Sequence, residues 1–156
     1  MAHSDYAMLL NLTAQERLVD LVAPLMQPGG RILFVTSHLA HFYGQQPVYK
    51  LYEPVAASKY AGEQALRNRI AQLADRGISL VVVSGDLIEG TITPKLMERS
   101  NRGLINERCK QVGSLPTIEE FARAIVNTCV NSSLGSGATV FVGSTQVTNS
   151  VESVNC

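Results

Sequence analysis

One lysine lies in a stretch whose composition is typical of a helix and whose setting points to chemistry. Lys59 belongs to the segment 52–67, where alanine recurs and Pro54 can occupy the first helical position. The pattern predicts a helix over 54–75. A lysine on such a helix is either a solvated surface residue or a cation held at a binding site, and both interpretations stay open.

Two histidines have a spacing that some metal sites use. His38 and His41 are three residues apart, which places both imidazoles on one face of a helix. No carboxylate or cysteine stands at a suitable spacing, so we expect no metal. The cysteines are far apart and form no CxxC pair, which argues against a zinc site or a disulfide framework and favours a reduced, cytoplasmic setting. They are Cys109, Cys129 and Cys156.

Alternating helices and strands must position these side chains. Apolar runs bounded by turn residues predict buried strands, and apolar residues at helical spacing predict helices. The predicted order is helix 5–26, strand 31–36, loop 37–51, helix 54–75, strand 78–83, helix 117–130 and strand 138–142. Gly77 is predicted to be a left-handed cap after the helix 54–75, and Thr117 with Glu120 is predicted to form a capping box at the start of the helix 117–130. Strands joined by helices run parallel with right-handed crossovers, so we predict a three-layer α/β fold with a parallel sheet of about three strands.

Polar residues stand where the first two predicted strands end. Ser37 and His38 follow the first strand, and Ser84, Gly85 and Asp86 end or follow the second. Ligands of parallel α/β sheets bind outside the carboxyl ends of the strands, so this rim is where we expect the site. Asp86 itself we interpret as a solvated loop residue.

The charge balance and the hydropathy pattern argue against two classes of partner. Lys plus Arg and Asp plus Glu both number 13, so no basic field attracts nucleic acid. No apolar run reaches membrane-spanning length, and no basic flank precedes an apolar run at the N-terminus. We therefore expect neither a nucleic-acid partner nor a membrane anchor.

Five short motifs follow one another in a characteristic order. They are Asn11-Leu-Thr, Pro24-Leu-Met, Gly30-Arg-Ile-Leu-Phe-Val-Thr-Ser, Ala57-Ser-Lys-Tyr-Ala-Gly-Glu and Gly77-Ile-Ser-Leu-Val-Val-Val-Ser-Gly. Together they resemble the second half of the short-chain dehydrogenases/reductases, over 5–143. The resemblance implies a partial Rossmann-like domain over 1–143 and a polar tail over 144–156. It also implies an oxidoreductase that uses NAD or NADP and acts on the carbonyl or alcohol of a small molecule.

The resemblance implies roles for particular residues. By motif, Asn11 corresponds to the family asparagine and Ser37 to the serine that binds the substrate oxygen. Lys59 corresponds to the lysine that holds the nicotinamide ribose and lowers the pKa of a tyrosine. Ser84 and Gly85 stand where the family usually has Pro-Gly, beside the nicotinamide. Ser37 could equally cap a helix, and Asn11 could bond a neighbouring backbone.

The position of the family tyrosine is occupied by a residue that cannot exchange a proton. That tyrosine lies four residues before the lysine, and here the position is Val55. Tyr52 lies seven residues before Lys59, about two helical turns away and on the same side. Tyr52 is the predicted substitute if the start of the helix bends toward the substrate.

The family's Gly-rich phosphate-binding turn is missing from these 156 residues. Neither GxxxGxG nor GxGxxG occurs, so most of a dinucleotide site has no counterpart in the sequence. The predicted strand 31–36 is also left with a free edge, which invites pairing with another chain.

Three hypotheses follow. In the first, the chain is the catalytic half of an oxidoreductase that an N-terminal half or a partner chain completes. In the second, it is a non-catalytic truncated relative that serves as an interaction module. In the third, it is a small-molecule binder or a non-redox enzyme that uses the rim at the strand ends. The family forms dimers through the helices corresponding to 5–26 and 54–75, which implies a homo-oligomer, and Ala56, Gly62 and Leu66 suit close packing there.

Overall fold

A parallel sheet forms the centre of the computed structural model, which describes residues 3–146. Its strands are β1 (Arg31–Ser37), β2 (Ser79–Gly85) and β3 (Thr139–Val142), and they lie side by side in that order. β1 pairs with β2 starting at Arg31 opposite Ser79, and β2 pairs with β3 starting at Val82 opposite Thr139. The predicted α/β fold with a three-stranded parallel sheet is confirmed.

The first helical stretch is interrupted by a wider turn. It consists of α1 (His3–Met8), a π-helical turn over Leu9–Thr13, α2 (Ala14–Val22) and a 3₁₀ turn over Ala23–Leu25. We predicted one regular helix over 5–26, and the π-helical turn is a departure from that prediction. Such single turns are common at functional sites, and this one contains Asn11.

The helix that carries Lys59 is shorter than predicted. It is α4 (Glu53–Arg67), and a break separates it from α5 (Ile70–Ala74), although the sequence predicts a continuous helix over 54–75. At the break, Arg69 forms ion pairs with Glu16 and Asp20 of α2. The break therefore coincides with contacts to another helix, which the local helix propensity of the sequence does not indicate.

Four further helices complete the fold. They are α3 (His38–His41), α6 (Ile92–Ser100), α7 (Leu104–Val112) and α8 (Ile118–Val130). The segment after β1 was predicted to be a loop, but α3 begins there because the Ser37 hydroxyl accepts a hydrogen bond from the Ala40 amide.

The start of α8 follows a sequence signature. The Thr117 hydroxyl accepts from the Glu120 amide and the Glu120 carboxylate accepts from the Thr117 amide, so the predicted capping box forms. Among residues 3–146, no helix is both long and apolar enough to cross a membrane.

The two faces of the sheet are covered unequally. One face packs under α2, α4 and α5 around eight buried residues, which are Val19, Ala23, Phe34, Leu66, Leu73, Ile78, Leu80 and Val82. On the other face, α8 packs on the sheet and Val81 and Val83 are fully buried. On that same face Val35 of β1 is 42% exposed, because side chains alternate along a strand and α8 leaves this end of the sheet uncovered.

Only the first three residues of the predicted polar tail are described. The carbonyls of Ser144 and Gln146 accept hydrogen bonds from Arg108, so this part of the tail contacts the domain. The remainder of the tail, 147–156, lies outside the described residues.

Candidate active site

A cavity of about 190 Å³ lies at the carboxyl ends of β1 and β2, at the predicted rim. The start of α4 and one side of α7 complete its wall, and α8 contributes Phe121. Its polar or ionisable lining includes Ser37, His38, Tyr52, Lys59, Asp86 and Arg108. The topology of the sheet therefore brings together residues that are up to 71 positions apart in the sequence (37 to 108).

Ser37 and Tyr52 meet at this cavity. The Ser37 hydroxyl lies 3.3 Å from the Tyr52 hydroxyl, and either oxygen can be the donor. Tyr52 immediately precedes α4, where the chain bends into the helix. Burial raises the pKa of the Tyr52 phenol above its ordinary value of 10.0, and the hydrogen bond with Ser37 offsets part of this rise.

Val55, at the position of the family tyrosine, has a different environment from Tyr52. It borders an apolar hollow between the start of α4 and α6, together with Leu51 and Met97. Tyr52 borders both this hollow and the cavity that contains Ser37, and Val55 borders only the hollow. Tyr52 is therefore the phenol that the structure places beside Ser37.

Lys59 connects the cavity to the free edge of the sheet. Its side chain lines the cavity and also a groove formed by Asn11, Gln15 and residues 33–35 of β1. Burial lowers the pKa of the Lys59 ammonium, and no charged or hydrogen-bonding group in the described part of the chain counteracts this. The ammonium is available to an acceptor brought by a ligand.

Asn11 acts on the helix that carries Lys59. Its side-chain amide donates a hydrogen bond of 3.0 Å to the Ser58 hydroxyl, which in turn donates to the Val55 carbonyl. A Cβ atom on Gly62 would lie 1.9 Å from the Asn11 carbonyl oxygen, so the two helices touch backbone to backbone. Asn11 thus borders the groove rather than the cavity.

Ser84 and Gly85, predicted to contact the cofactor, differ in accessibility. The Ser84 side chain is fully buried and its hydroxyl lies 2.7 Å from Nδ1 of His38. Gly85 lines the cavity, and a Cβ atom there would approach the Phe121 ring to 2.6 Å. Backbone at Gly85, and not the Ser84 side chain, faces the cavity.

The histidine pair is engaged by protein groups. His41 Nδ1 lies 2.8 Å from the buried Glu63 carboxylate, which also accepts from Arg67. His38 is buried, and burial lowers its pKa to about 4, so its imidazole is neutral at pH 7. Within residues 3–146 no three His, Cys, Asp or Glu side chains gather as metal ligands.

Sequence reasoning missed the ion pair between Asp86 and Arg108. Asp86 was expected to be a solvated loop residue, but it is only 9% exposed. The Arg108 guanidinium donates hydrogen bonds to both of its carboxylate oxygens, at 2.7 and 3.3 Å. The two residues are 22 positions apart on different elements. No local pattern links them, so only their shared place on the cavity wall reveals the pair.

Comparison with known families identifies the chain. The family model described as enoyl-(acyl carrier protein) reductase matches residues 1–143, so the chain belongs to this family of the short-chain dehydrogenases/reductases. No curated protein matches the sequence.

Solved structures share the fold over most of the chain. The hydroxysteroid dehydrogenase from Escherichia coli superposes with a TM-score of 0.73 at 24% identity, over 95% of this chain and 59% of the other. A 7α-hydroxysteroid dehydrogenase complexed with NADH and 7-oxo glycochenodeoxycholic acid gives 0.74 at 24% identity, over 95% and 58%. A small-chain dehydrogenase in complex with NADPH gives 0.69 at 21% identity, over 90% and 61%. The chain spans about three fifths of the length of these proteins.

Proposed function

We propose that the chain is the substrate-binding half of an NAD(P)-dependent oxidoreductase that interconverts a carbonyl and an alcohol. The observation that supports this most directly is the 3.3 Å contact between the hydroxyls of Ser37 and Tyr52 on the wall of a cavity that Lys59 also lines. A serine, a phenol and an ammonium are the groups needed to bind an oxygen and move a proton to it.

Tyr52 is the proposed proton donor for carbonyl reduction. A substrate oxygen that replaces part of the Ser37 to Tyr52 contact can accept hydrogen bonds from both hydroxyls. Ser37 then orients the oxygen, and Tyr52 passes its proton to the developing alkoxide. Burial holds the Tyr52 phenol neutral at pH 7, which is the protonation state a general acid requires.

Lys59 has two proposed tasks. Lys59 lines the cavity together with Tyr52, so its ammonium is the proposed charge that favours the phenolate as the Tyr52 proton leaves. Its lack of a partner among the described residues also fits a role in holding the hydroxyls of a nicotinamide ribose. When bound, the nicotinamide would supply the hydride.

The chain fits only one end of such a cofactor. Lys59 and the adjoining groove suit the nicotinamide ribose, but the sequence lacks the Gly-rich turn that cradles the pyrophosphate. We therefore include in the proposal a further segment or partner chain that supplies the phosphate site. The free edge of β1 next to the groove is the proposed place for its attachment.

Titration of cofactors tests this function. NADH, NADPH and reduced nicotinamide mononucleotide are titrated calorimetrically into the purified chain and into its Lys59→Met variant. We expect the mononucleotide to bind the wild type as well as the dinucleotides do, and the variant to lose affinity for all three. A wild-type chain that binds none of them contradicts the proposal.

Turnover tests the role of Tyr52. In the presence of the completing segment, the Tyr52→Phe variant is expected to oxidise NADPH with ketones at least about a hundredfold more slowly. Val55→Phe is the matched control, because it alters the hollow and keeps the phenol. Equal loss in both variants would show that Tyr52 contributes packing rather than a proton.

A second function, association with another copy, is supported by one exposed apolar row. Leu18, Leu21 and Leu25 are 54%, 71% and 80% exposed along the first helical stretch. The residues first expected to form a dimer contact, Ala56, Gly62 and Leu66, are instead buried within the chain itself. The proposed contact therefore centres on the leucine row.

Light scattering tests the association. The wild-type chain is expected to have the mass of a dimer, and Leu21→Lys the mass of a monomer. Val130→Lys, at a 77% exposed position on α8, is the control that should stay dimeric. A monomeric wild type rules out this second function.

A further inference from the structure

We propose that the ion pair of Asp86 and Arg108 makes the cavity selective for uncharged carbonyl compounds and excludes carboxylates and phosphates. The inference rests on the proposed function and names the substrate class of the same site. Asp86 is the specificity-determining residue, since its charge cancels that of Arg108 on the cavity wall.

The geometry of the pair leaves little positive charge for a ligand. Nη2 of Arg108 lies 2.7 Å from one Asp86 oxygen, and Nε lies 3.3 Å from the other. Arg108 is 4% exposed and Asp86 is 9% exposed, so both charges act in a poorly solvated environment where their attraction is strong. A bidentate pair of this kind holds the guanidinium in a fixed direction.

The remaining donors of Arg108 are directed at the backbone. Nη1 donates to the Gln146 carbonyl at 2.8 Å, and Nη2 also donates to the Ser144 carbonyl at 2.9 Å. The carboxylate accepts in addition from the Leu87 amide at 2.8 Å. The pair is therefore built into the junction of β2, α7 and the segment after β3, and a ligand cannot take one partner without breaking several bonds.

The other basic groups of the lining named above are His38 and Lys59. His38 is neutral at pH 7, because burial holds its pKa near 4. Lys59 also lines the cavity, and its ammonium is assigned to the substrate oxygen and the ribose. An anionic group of a substrate that lies against the pair would lose its hydration and meet a carboxylate within a neutralised pair.

The rest of the lining is uncharged and partly apolar. Leu39, Leu87, Ile88 and Phe121 line the wall beside uncharged polar residues such as Thr91 and Thr93. A compact ketone or secondary alcohol with a hydrocarbon frame matches this combination of apolar walls and a cancelled charge. The class includes cyclic ketones and excludes keto acids of the same size.

Binding of two matched probes tests the selectivity without requiring turnover. 4-Methylcyclohexanone and 4-oxocyclohexanecarboxylate are titrated into the ¹⁵N-labelled full chain, and dissociation constants are taken from amide shifts. For the wild type we expect the ketone to bind at least about tenfold more tightly than the carboxylate. In Asp86→Asn, Arg108 keeps its charge, so this preference should fall by about tenfold or more.

The double variant Asp86→Asn with Arg108→Gln is the control, because it removes both charges and should restore the preference for the ketone. It also covers the case in which Asp86→Asn alone fails to fold. A wild type that binds both probes equally, or does not bind the ketone, overturns the inference, as does an unchanged preference in a folded Asp86→Asn. A completed enzyme without hydride transfer contradicts only the proposed function, because these affinities do not depend on it.

Discussion

The side-chain amide of Asn11 donates a hydrogen bond to the hydroxyl of Ser58, 47 residues later in the chain. Asn11 lies in the π-helical turn and Ser58 immediately precedes Lys59, so the bond ties an irregular turn of one helix to the residue beside the proposed cofactor lysine. Ser58 is fully buried and also donates to the Val55 carbonyl. The position of Lys59 is therefore fixed by contacts between helices as well as by its own helix.

A double-mutant cycle measures the energy of the hydrogen bond between Asn11 and Ser58. Asn11→Ala, Ser58→Ala and the pair are compared by urea unfolding. We expect a coupling energy of about 1 kcal/mol, because the two groups form a partly buried hydrogen bond. Additive single effects would show that the bond does not stabilise the fold.

Backbone contact between the two helices predicts a low tolerance for any side chain at Gly62. The Cβ atom of Gly62→Ala would lie 1.9 Å from the Asn11 carbonyl oxygen, so the helices must separate. We expect a loss of about 3 kcal/mol in the free energy of unfolding, or failure to fold. Gly135→Ala is the control, because nothing lies within 4 Å of its Cβ position. A Gly62→Ala chain as stable as this control would contradict the packing.

The stability of the fold should decrease in mild acid because of His38. Burial lowers its pKa from 6.5 to about 4, Arg108 and His41 lower it further, and Asp86 and the Gly143 carbonyl oppose the shift. The unfolded chain therefore binds the His38 proton first as pH falls below 6.5, and the folded state loses this stability progressively down to about pH 4. Between pH 7 and pH 5 the loss is about 2 kcal/mol.

Unfolding in urea at both pH values checks this effect. His38→Asn keeps an acceptor for Ser84 and removes the titrating group, so its stability should depend less on pH than that of the wild type. Identical pH dependence in the two proteins would show that other groups govern the acid response.

The order of the elements was predictable because it depends on local patterns. Buried strands of a parallel sheet are continuous apolar runs, as over Leu80 to Val83, and the Thr117 capping box marks a helix start by itself. Gly77, predicted as a left-handed cap, has φ +69°. The helix break before Ile70 was not predictable, since it coincides with ion pairs of Arg69 to a distant helix.

The site was predictable only in part, for a similar reason. The end of the first predicted strand placed Ser37 at the rim of the sheet. The spacing of seven residues between Tyr52 and Lys59 predicted that both lie on the same side of a helix. The contact between Ser37 and Tyr52 depends on how the chain bends before α4, which no residue pattern specifies. The pair of Asp86 and Arg108 joins two elements through tertiary packing, so the sequence alone left Asp86 assigned to solvent.

A buried carboxylate makes Arg67 a strong determinant of stability. Its Nε donates to Glu63, whose side chain is fully buried, and its two terminal nitrogens donate to the Gly137 carbonyl and the Thr139 hydroxyl at the start of β3. Arg67→Met leaves the Glu63 charge with His41 as its remaining partner in the described chain. We expect a loss of about 3 kcal/mol, because an uncompensated buried charge is costly.

The neighbouring Arg69→Met variant is the control for this prediction. Arg69 is paired with Glu16 and Asp20 near the surface, where Asp20 is 58% exposed, so its replacement should cost less than about 1 kcal/mol. Adding Glu63→Gln to Arg67→Met removes the buried charge and should recover part of the loss, as measured by urea unfolding. If the two arginine variants lose equal stability, or if Glu63→Gln recovers none of it, the cost does not come from the charge on Glu63.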